Sequence, residues 1–219
     1  MRKGVIMESH DTTSRAALLV IDVQRDFCPG GNLAVADGDA VVPVINRIAT
    51  RFGYVVATRD WHPAEHGSFA SLHPGAKPFE TGRVGKIEQV LWPDHCVQGT
   101  PGADFHPDLD QRPIRVVLHK GFRPTLDSYS AFFENDHRTA TGLDALLRGL
   151  GYEELFFCGI ATDVCVLYSV LDALRLGYRC TLVEDACRGV DLPAGAVASA
   201  IDRMRGEGCS IIASGELAP

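Results

Sequence analysis

The sequence lacks any apolar run near the ~18 residues that a membrane-spanning helix requires, which argues against a helical membrane anchor. It also lacks a Lys/Arg cluster, and its formal net charge is −7, so there is no basic face for a phosphate backbone and nucleic acid is not expected as a partner. Its seven cysteines are odd in number and contain no C-x-x-C pair. That pattern disfavours a disulfide framework and a zinc ribbon, and it fits a reducing cytoplasm. Residues 1–15, MRKGVIMESHDTTSR, have no apolar h-region and read as a disordered extension rather than a signal peptide. No repeat, low-complexity tract or compositional shift marks a linker, so residues 16–219 are expected to form one domain. With 46% hydrophobic and 22% charged residues, the chain falls in the soluble globular class.

What is present is an alternation. Six apolar runs read as buried strands: Ala16 to Ile21, Tyr54 to Thr58, Ile114 to His119, Glu154 to Cys158, Cys180 to Glu184 and Cys209 to Ala213. Helical spacing covers Ala40 to Phe52, Gly142 to Leu150, Val164 to Leu176 and Ala194 to Arg205, with Gly53, Gly151, Gly177 and Gly208 as expected stops. Such a rhythm predicts βαβ units and a mainly parallel sheet. Residues 62–113 and 121–141 break it; rich in Pro, Gly, His and aromatics, they read as irregular functional loops.

Ligands of an open parallel sheet bind beyond the carboxyl ends of its strands. Here those ends carry Asp22, Asp60, Lys120, the turn GIATDVC with Cys165, and Asp185. Acids, a lysine and a thiol suit nucleophilic acyl chemistry. Cys165 sits at a helix start, behind a Thr162-Asp163 pair able to cap it, where backbone N–H groups and the macrodipole are expected to pull its pKa below the roughly 8.5 of a free thiol. Taken alone, Asp22 could cap a turn and Lys120 could be a solvated strand end; beside a thiol, an acid and a base can move a proton. Cys28, Cys96, Cys158, Cys180, Cys187 and Cys209 read as buried small hydrophobes.

A second constellation lies in DWHPAEH. Pro63 biases His62 towards an extended backbone, so Asp60 and His62 face one side while Trp61 turns away. With His95 from WPDHC they make a two-His, one-carboxylate set suited to Zn²⁺, Mn²⁺ or Fe²⁺ with open positions. His66 is a candidate further ligand or supporting partner; His10, His73, His106, His119 and His137 read as structural or solvated.

Together, IDVQRDFCPGG, TRDWHP, WPDHCVQGTPG, HKGF and GIATDVCV resemble the nicotinamidase/pyrazinamidase branch of the isochorismatase-like cysteine hydrolases, from about Ala16 to the C-terminus. DSYSAFF, Asp127 to Phe133, is similar to the substrate loop of that branch. The resemblance implies a Rossmann-like three-layer α/β sandwich with a six-stranded sheet and helices on both faces. It implies a triad of Asp22, Lys120 and Cys165, and one divalent metal on Asp60, His62 and His95, zinc first with iron or manganese as alternatives. It further implies a cis peptide between Ile160 and Ala161, an oxyanion hole from the N–H groups of Ala161 and Cys165, and an aromatic slot of Phe27, Trp92 and Tyr129 for a pyridine ring.

The activity so implied is cytoplasmic hydrolysis of nicotinamide, and of pyrazinamide, without a nucleotide cofactor, in NAD salvage. The lid geometry of residues 68–91, the preference among nicotinamide analogues and any homo-oligomer stay open. Alternatives are a related amidase or isochorismatase-type hydrolase, a non-haem iron oxygenase, which would leave Cys165 and Lys120 unexplained, and a silent binding protein with an ordinary thiol at 165.

Overall fold

The computed structural model describes residues 16–217; the expected N-terminal extension and His10 lie outside the described residues. In chain order the elements are β1 (Ala16–Ile21), α1 (Val41–Ala49), β2 (Val55–Asp60), β3 (Thr81–Val84), β4 (Ile87–Val90), β5 (Ile114–Lys120), α2 (Leu143–Gly149), β6 (Glu154–Ile160), α3 (Leu167–Arg175), β7 (Arg179–Arg188), α4 (Ala196–Gly206) and β8 (Ser210–Ile212). Six strands form one sheet in the order β5-β2-β1-β6-β7-β8, and every pairing in it is parallel. The apolar runs place these strands because a strand covered on both faces needs an unbroken hydrophobic stretch, and every residue of β1 after Ala16 is buried.

Right-handed crossovers put α1 on one face and α2, α3 and α4 on the other. α1 packs on β6 and β7, α3 on β7, and α4 on α3 and β8. Leu19, Ile45, Leu147 and Phe157 are among the fully buried side chains of the single large core. Burying each such side chain stabilises the fold by about 1.5–3 kcal/mol.

Three expectations need correction. Residues 62–113 are not wholly irregular: β3 and β4 form an antiparallel hairpin, Thr81↔Val90 to Val84↔Ile87. Its four-residue strands are half exposed, so no apolar run or clean alternation announces them. Gly151, Gly177 and Gly208 close their helices with left-handed φ, but Gly53 is absent from that set; α1 ends earlier, with Thr50 as its C-cap. Thr162 and Asp163 do not cap a helix. Residues Thr162–Val166 form one π-helical turn ahead of α3, Ala161 precedes it, and no side chain caps it. Asp163 instead accepts the backbone N–H groups of Val190 and Asp191 at 2.9 and 2.8 Å.

The sheet order reverses between β1 and β6, which opens a crevice at their carboxyl ends. Ile21 pairs with Gly159 at that point. Gly159 has φ +117, and a Cβ there would lie 2.1 Å from the Ile21 carbonyl oxygen, so only glycine lets the two strand ends meet. Gly159→Ala is therefore expected to cost roughly 2–4 kcal/mol. Urea unfolding checks this, and an unchanged midpoint would contradict the close approach.

Candidate active site

Four neighbouring strands deliver the reactive groups. Asp60 and Lys120 are register partners at the ends of β2 and β5. Asp22 follows β1, and Cys165 lies in the turn after β6. Lys120 is 1% exposed and extends beneath the crevice, where its Nζ donates to Asp60 Oδ1 at 2.5 Å, to the Ser128 carbonyl at 3.0 Å and to Cys165 Sγ at 3.5 Å. Its Nζ is also 2.8 Å from Asp22 Oδ2, an ion pair buried on both sides. Asp22 Oδ1 accepts the Thr58 hydroxyl at 2.6 Å, and the same hydroxyl accepts the Asp22 N–H at 3.1 Å. Cys165 Sγ and one oxygen each of Asp22 and Asp60 lie within 4.8 Å of one another.

Burial sets the electrostatics. Desolvation pushes the Cys165 thiol well above its ordinary range, Asp22 and Asp60 add to the rise, and Lys120 opposes it. The expected fall below a free thiol is therefore reversed: one helical turn cannot offset burial beside two carboxylates. Burial also raises Asp22, against Lys120 and with the help of Asp60. For Asp60, burial is outweighed by Lys120 and His62, which hold it well below the carboxylate range. Lys120 stays charged because Asp22 and Asp60 overcome the burial that would neutralise it.

Asp60 also faces the histidines. Its Oδ2 lies 3.6 Å from His62 Nε2 and 3.7 Å from His95 Nε2, and Trp61 turns away to stack on His119 with ring centroids 4.6 Å apart. His62 Nδ1 meets the Gly121 carbonyl at 2.7 Å and His95 Nδ1 the Pro93 carbonyl at 2.7 Å, so each ring donates there and turns its Nε2 to the carboxylate. Gly121 is required for this, because a Cβ there would lie 2.4 Å from His62 Cε1. Ligands held about 2.0–2.2 Å from a tetrahedral ion are spaced much as these three are, so the residues fit a divalent cation. His66 is fully buried, with Nδ1 2.7 Å from the Ser68 hydroxyl and Nε2 unpartnered. Burial, and His62 after it, push His66 down to about 4, which keeps it neutral. It falls in a second cluster, with His62 and Asp127, rather than in the Asp60, His62, His95 group.

Cys165, Asp60, His62 and His95 line one pocket of about 380 Å³, whose walls include Phe27, Trp92 and Tyr129; Asp22 and Lys120 lie buried beneath it. Trp92 Nε1 donates to the Tyr129 hydroxyl at 3.2 Å, which fixes their edge-on arrangement. Asp185 does not join the site; it accepts from the Ser214 N–H and hydroxyl at 2.7 and 2.6 Å. The seven cysteines are all free and buried.

Several supporting residues went unread in the sequence. Gln24 clamps the end of β2, donating to the Asp60 carbonyl at 2.8 Å and accepting the Asp60 N–H at 2.8 Å. Asp26 accepts the Cys96 N–H at 2.7 Å and so holds the loop that carries His95. Asp127 lines the pocket and takes the Gln89 amide at 2.7 Å. Ser169 donates to the Cys165 carbonyl at 2.6 Å and accepts the Ala131 N–H at 2.9 Å, joining the nucleophile turn to the Asp127–Phe133 loop. Gln24 and Asp26 lie inside the motif IDVQRDF, and that adjacency was the available signal.

A buried thiol, ammonium and carboxylate at the switch point of a doubly wound sheet define a hydrolase site, and the chain belongs to the isochorismatase family, whose isochorismatase domain matches residues 16–216. Within that family its relatives include nicotinamidases. It is 48% identical over 199 residues to the nicotinamidase of Escherichia coli, covering 89% of this chain and 93% of that protein. A nicotinamidase and pyrazinamidase structure from Acinetobacter baumanii matches with a TM-score of 0.91 at 48% identity, over 95% of this chain and 100% of that one. The pyrazinamidase of Pyrococcus horikoshii, in complex with zinc, matches with a TM-score of 0.74 at 36% identity, over 91% and 99%.

Removing one partner of a buried ion pair strands the other, at a cost of about 3–5 kcal/mol. Lys120→Met is expected to lower unfolding free energy by that amount, and Lys77→Met, on an exposed loop, by less than about 0.5 kcal/mol. Chemical denaturation of both variants checks the contrast.

Proposed function

We propose that this chain hydrolyses nicotinamide to nicotinate and ammonia, and pyrazinamide likewise, through a thioester on Cys165. What carries this reading is that Cys165, in contact with the buried Lys120–Asp22 pair, shares one aromatic-walled pocket with the Asp60, His62, His95 cluster. No helix of the described residues is long and apolar enough to cross a membrane, and a cytoplasmic place in NAD salvage is consistent with the chemistry.

The resting thiol keeps its proton, because burial disfavours the free thiolate. The Asp22 carboxylate, within 4.8 Å of the sulfur, takes this proton as the sulfur attacks the carboxamide carbon. Lys120, held among Asp60, Ser128 and Asp22, offsets the negative charge gained by the sulfur. The carbonyl oxygen, now an oxyanion, is met by the N–H groups of Cys165 and of Ala161, which follows the cis peptide after Ile160. Asp22 passes its proton to the departing amine, and the C–N bond breaks to give ammonia and the thioester. Water then adds to the thioester, with Asp22 again taking a proton and returning it to the sulfur. Phe27, Trp92 and Tyr129 flank the pyridine ring and align the carboxamide.

A divalent ion, zinc by the donor set, would be held by Asp60, His62 and His95, with His66 packed against the His62 ring, and would supply a Lewis-acid anchor for the pyridine nitrogen. The related isochorismatase-type hydrolases remain the second reading, and this cluster favours the first.

Purified protein is expected to release ammonia from nicotinamide, and Cys165→Ala to lose roughly 10⁴-fold or more in kcat with its unfolding curve retained. Near-normal turnover in that variant would refute the nucleophile assignment. Elemental analysis tests the metal site separately: His95→Ala is expected to bind less than one equivalent of zinc where the wild type binds one, with KM for nicotinamide raised about 10-fold or more.

A further inference from the structure

The catalytic pocket borders a second hollow. It continues into an outer chamber of about 970 Å³ of empty space counted to its mouth, and the two share Trp92, Tyr129, Val164 and Val190. None of Asp60, His62, His95, Ala161 or Cys165 lines the chamber. The chamber therefore meets the pocket on the side away from both the thiol and the histidine cluster.

Its lips are apolar and exposed. Phe79 stands on one side at 42% exposure and Leu192 on the other at 57%, beside Pro193. Large exposed hydrophobics facing a shared opening call for an apolar occupant. Both lips are built rather than slack. Phe79 packs edge-on to Trp92, with ring centroids 5.9 Å apart, and its N–H donates to the Leu91 carbonyl at 2.7 Å. Opposite, Asp163 holds the Val190 and Asp191 N–H groups, and Asp191 Oδ1 accepts those of Gly195 and Val197 at 3.0 Å each. The chamber is thus preformed, and its second lip is tied to the turn that carries Cys165.

We infer that this chamber is a second subsite, which accepts an apolar substituent on the pyridine ring and extends the substrate range to 5-alkyl pyridine-3-carboxamides. The inference rests on the nicotinamide reading above. A ring whose C3 carboxamide lies on Cys165 and whose nitrogen faces the Asp60, His62, His95 cluster has C2 on its anchored edge. C5 is diametrically opposite, and the opening opposite the anchors is the one walled by Trp92, Tyr129, Val164 and Val190. A short alkyl chain on C5 passes between these side chains to reach Phe79 and Leu192. An alkyl group on the amide nitrogen would instead point towards Asp22, which is fully buried, and is excluded.

The test compares nicotinamide with 5-propylnicotinamide, using wild type and the double variant Phe79→Asn, Leu192→Ser. Asparagine tolerates the positive φ of residue 79, which is +72, so the lip keeps its backbone. The wild type is expected to hydrolyse both amides with kcat/KM values within about 10-fold, since lost or gained methylene contacts are worth about 10- to 200-fold. The double variant is expected to lose about 10-fold or more with the propyl compound and less than about 2-fold with nicotinamide. Calorimetric affinity of Cys165→Ala for the propyl compound, with and without the two lip changes, is expected to fall in parallel. Hydrolysis of nicotinamide with no binding of the propyl compound would overturn the subsite and leave the nicotinamide reading intact. Equal losses for both amides would overturn it too. A wild-type dimer that the double variant lost, with unchanged selectivity, would assign the lips to a second copy of the chain. No turnover or binding of either amide would overturn the parent reading and the subsite together.

Discussion

The Lys120 ammonium buried between two carboxylates is the constraint on which the rest of the site depends. One positive charge cannot be carried into a dry crevice without partners, and Lys120 has Asp60 at 2.5 Å and Asp22 at 2.8 Å. Two carboxylates around one ammonium leave an excess of negative charge. The site resolves it in two directions. Towards β6, burial raises both Asp22 and Cys165 and so disfavours further negative charge there. Towards the loops, Asp60 turns its second oxygen to His62 and His95, where a bound cation would complete the balance. Asp60 is thus the hinge between the reacting groups and the substrate anchor, and its backbone is clamped by Gln24 on both sides.

Sheet topology makes this arrangement reachable. Because β5, β2, β1 and β6 are adjacent and parallel, residues up to 143 positions apart in sequence arrive at one edge. The order reverses between β1 and β6, so no crossover covers the crevice there. The loops then close it from above. The Asp127–Phe133 loop, which carries Tyr129, is fastened below by the Ser128 carbonyl on Lys120 and at the side by Ser169 on Ala131, and Ser169 ties it to the Cys165 turn.

Much of this was legible in the linear sequence. The six strands follow from their apolar runs, though the edge strands β5 and β8 are only partly buried, and the four helices follow from spacing, with ends displaced by up to three residues. Asp60 and His62 converge as an extended dipeptide step predicts. The β3–β4 hairpin was not legible, since a half-exposed four-residue strand leaves no pattern. Nor was the fate of Asp163: its position suggested a local cap, while its partners lie 27 and 28 residues away. Thr58 inside β2 reads as strand filler until Asp22 is placed beside it.

The sequence by itself determined which groups exist and which strand ends bear them, because strand periodicity and chain order are local properties. The tertiary structure alone decided their chemical states. The Cys165 thiol is raised rather than lowered because desolvation depends on every element packed around it, and none of those elements lies within the turn that suggested acidity. His66 is left neutral with a bare Nε2 for the same reason, since its burial and its neighbour His62 are set by the folded loops. Charge state is a property of surroundings, and in this crevice the surroundings come from strands far apart in the chain.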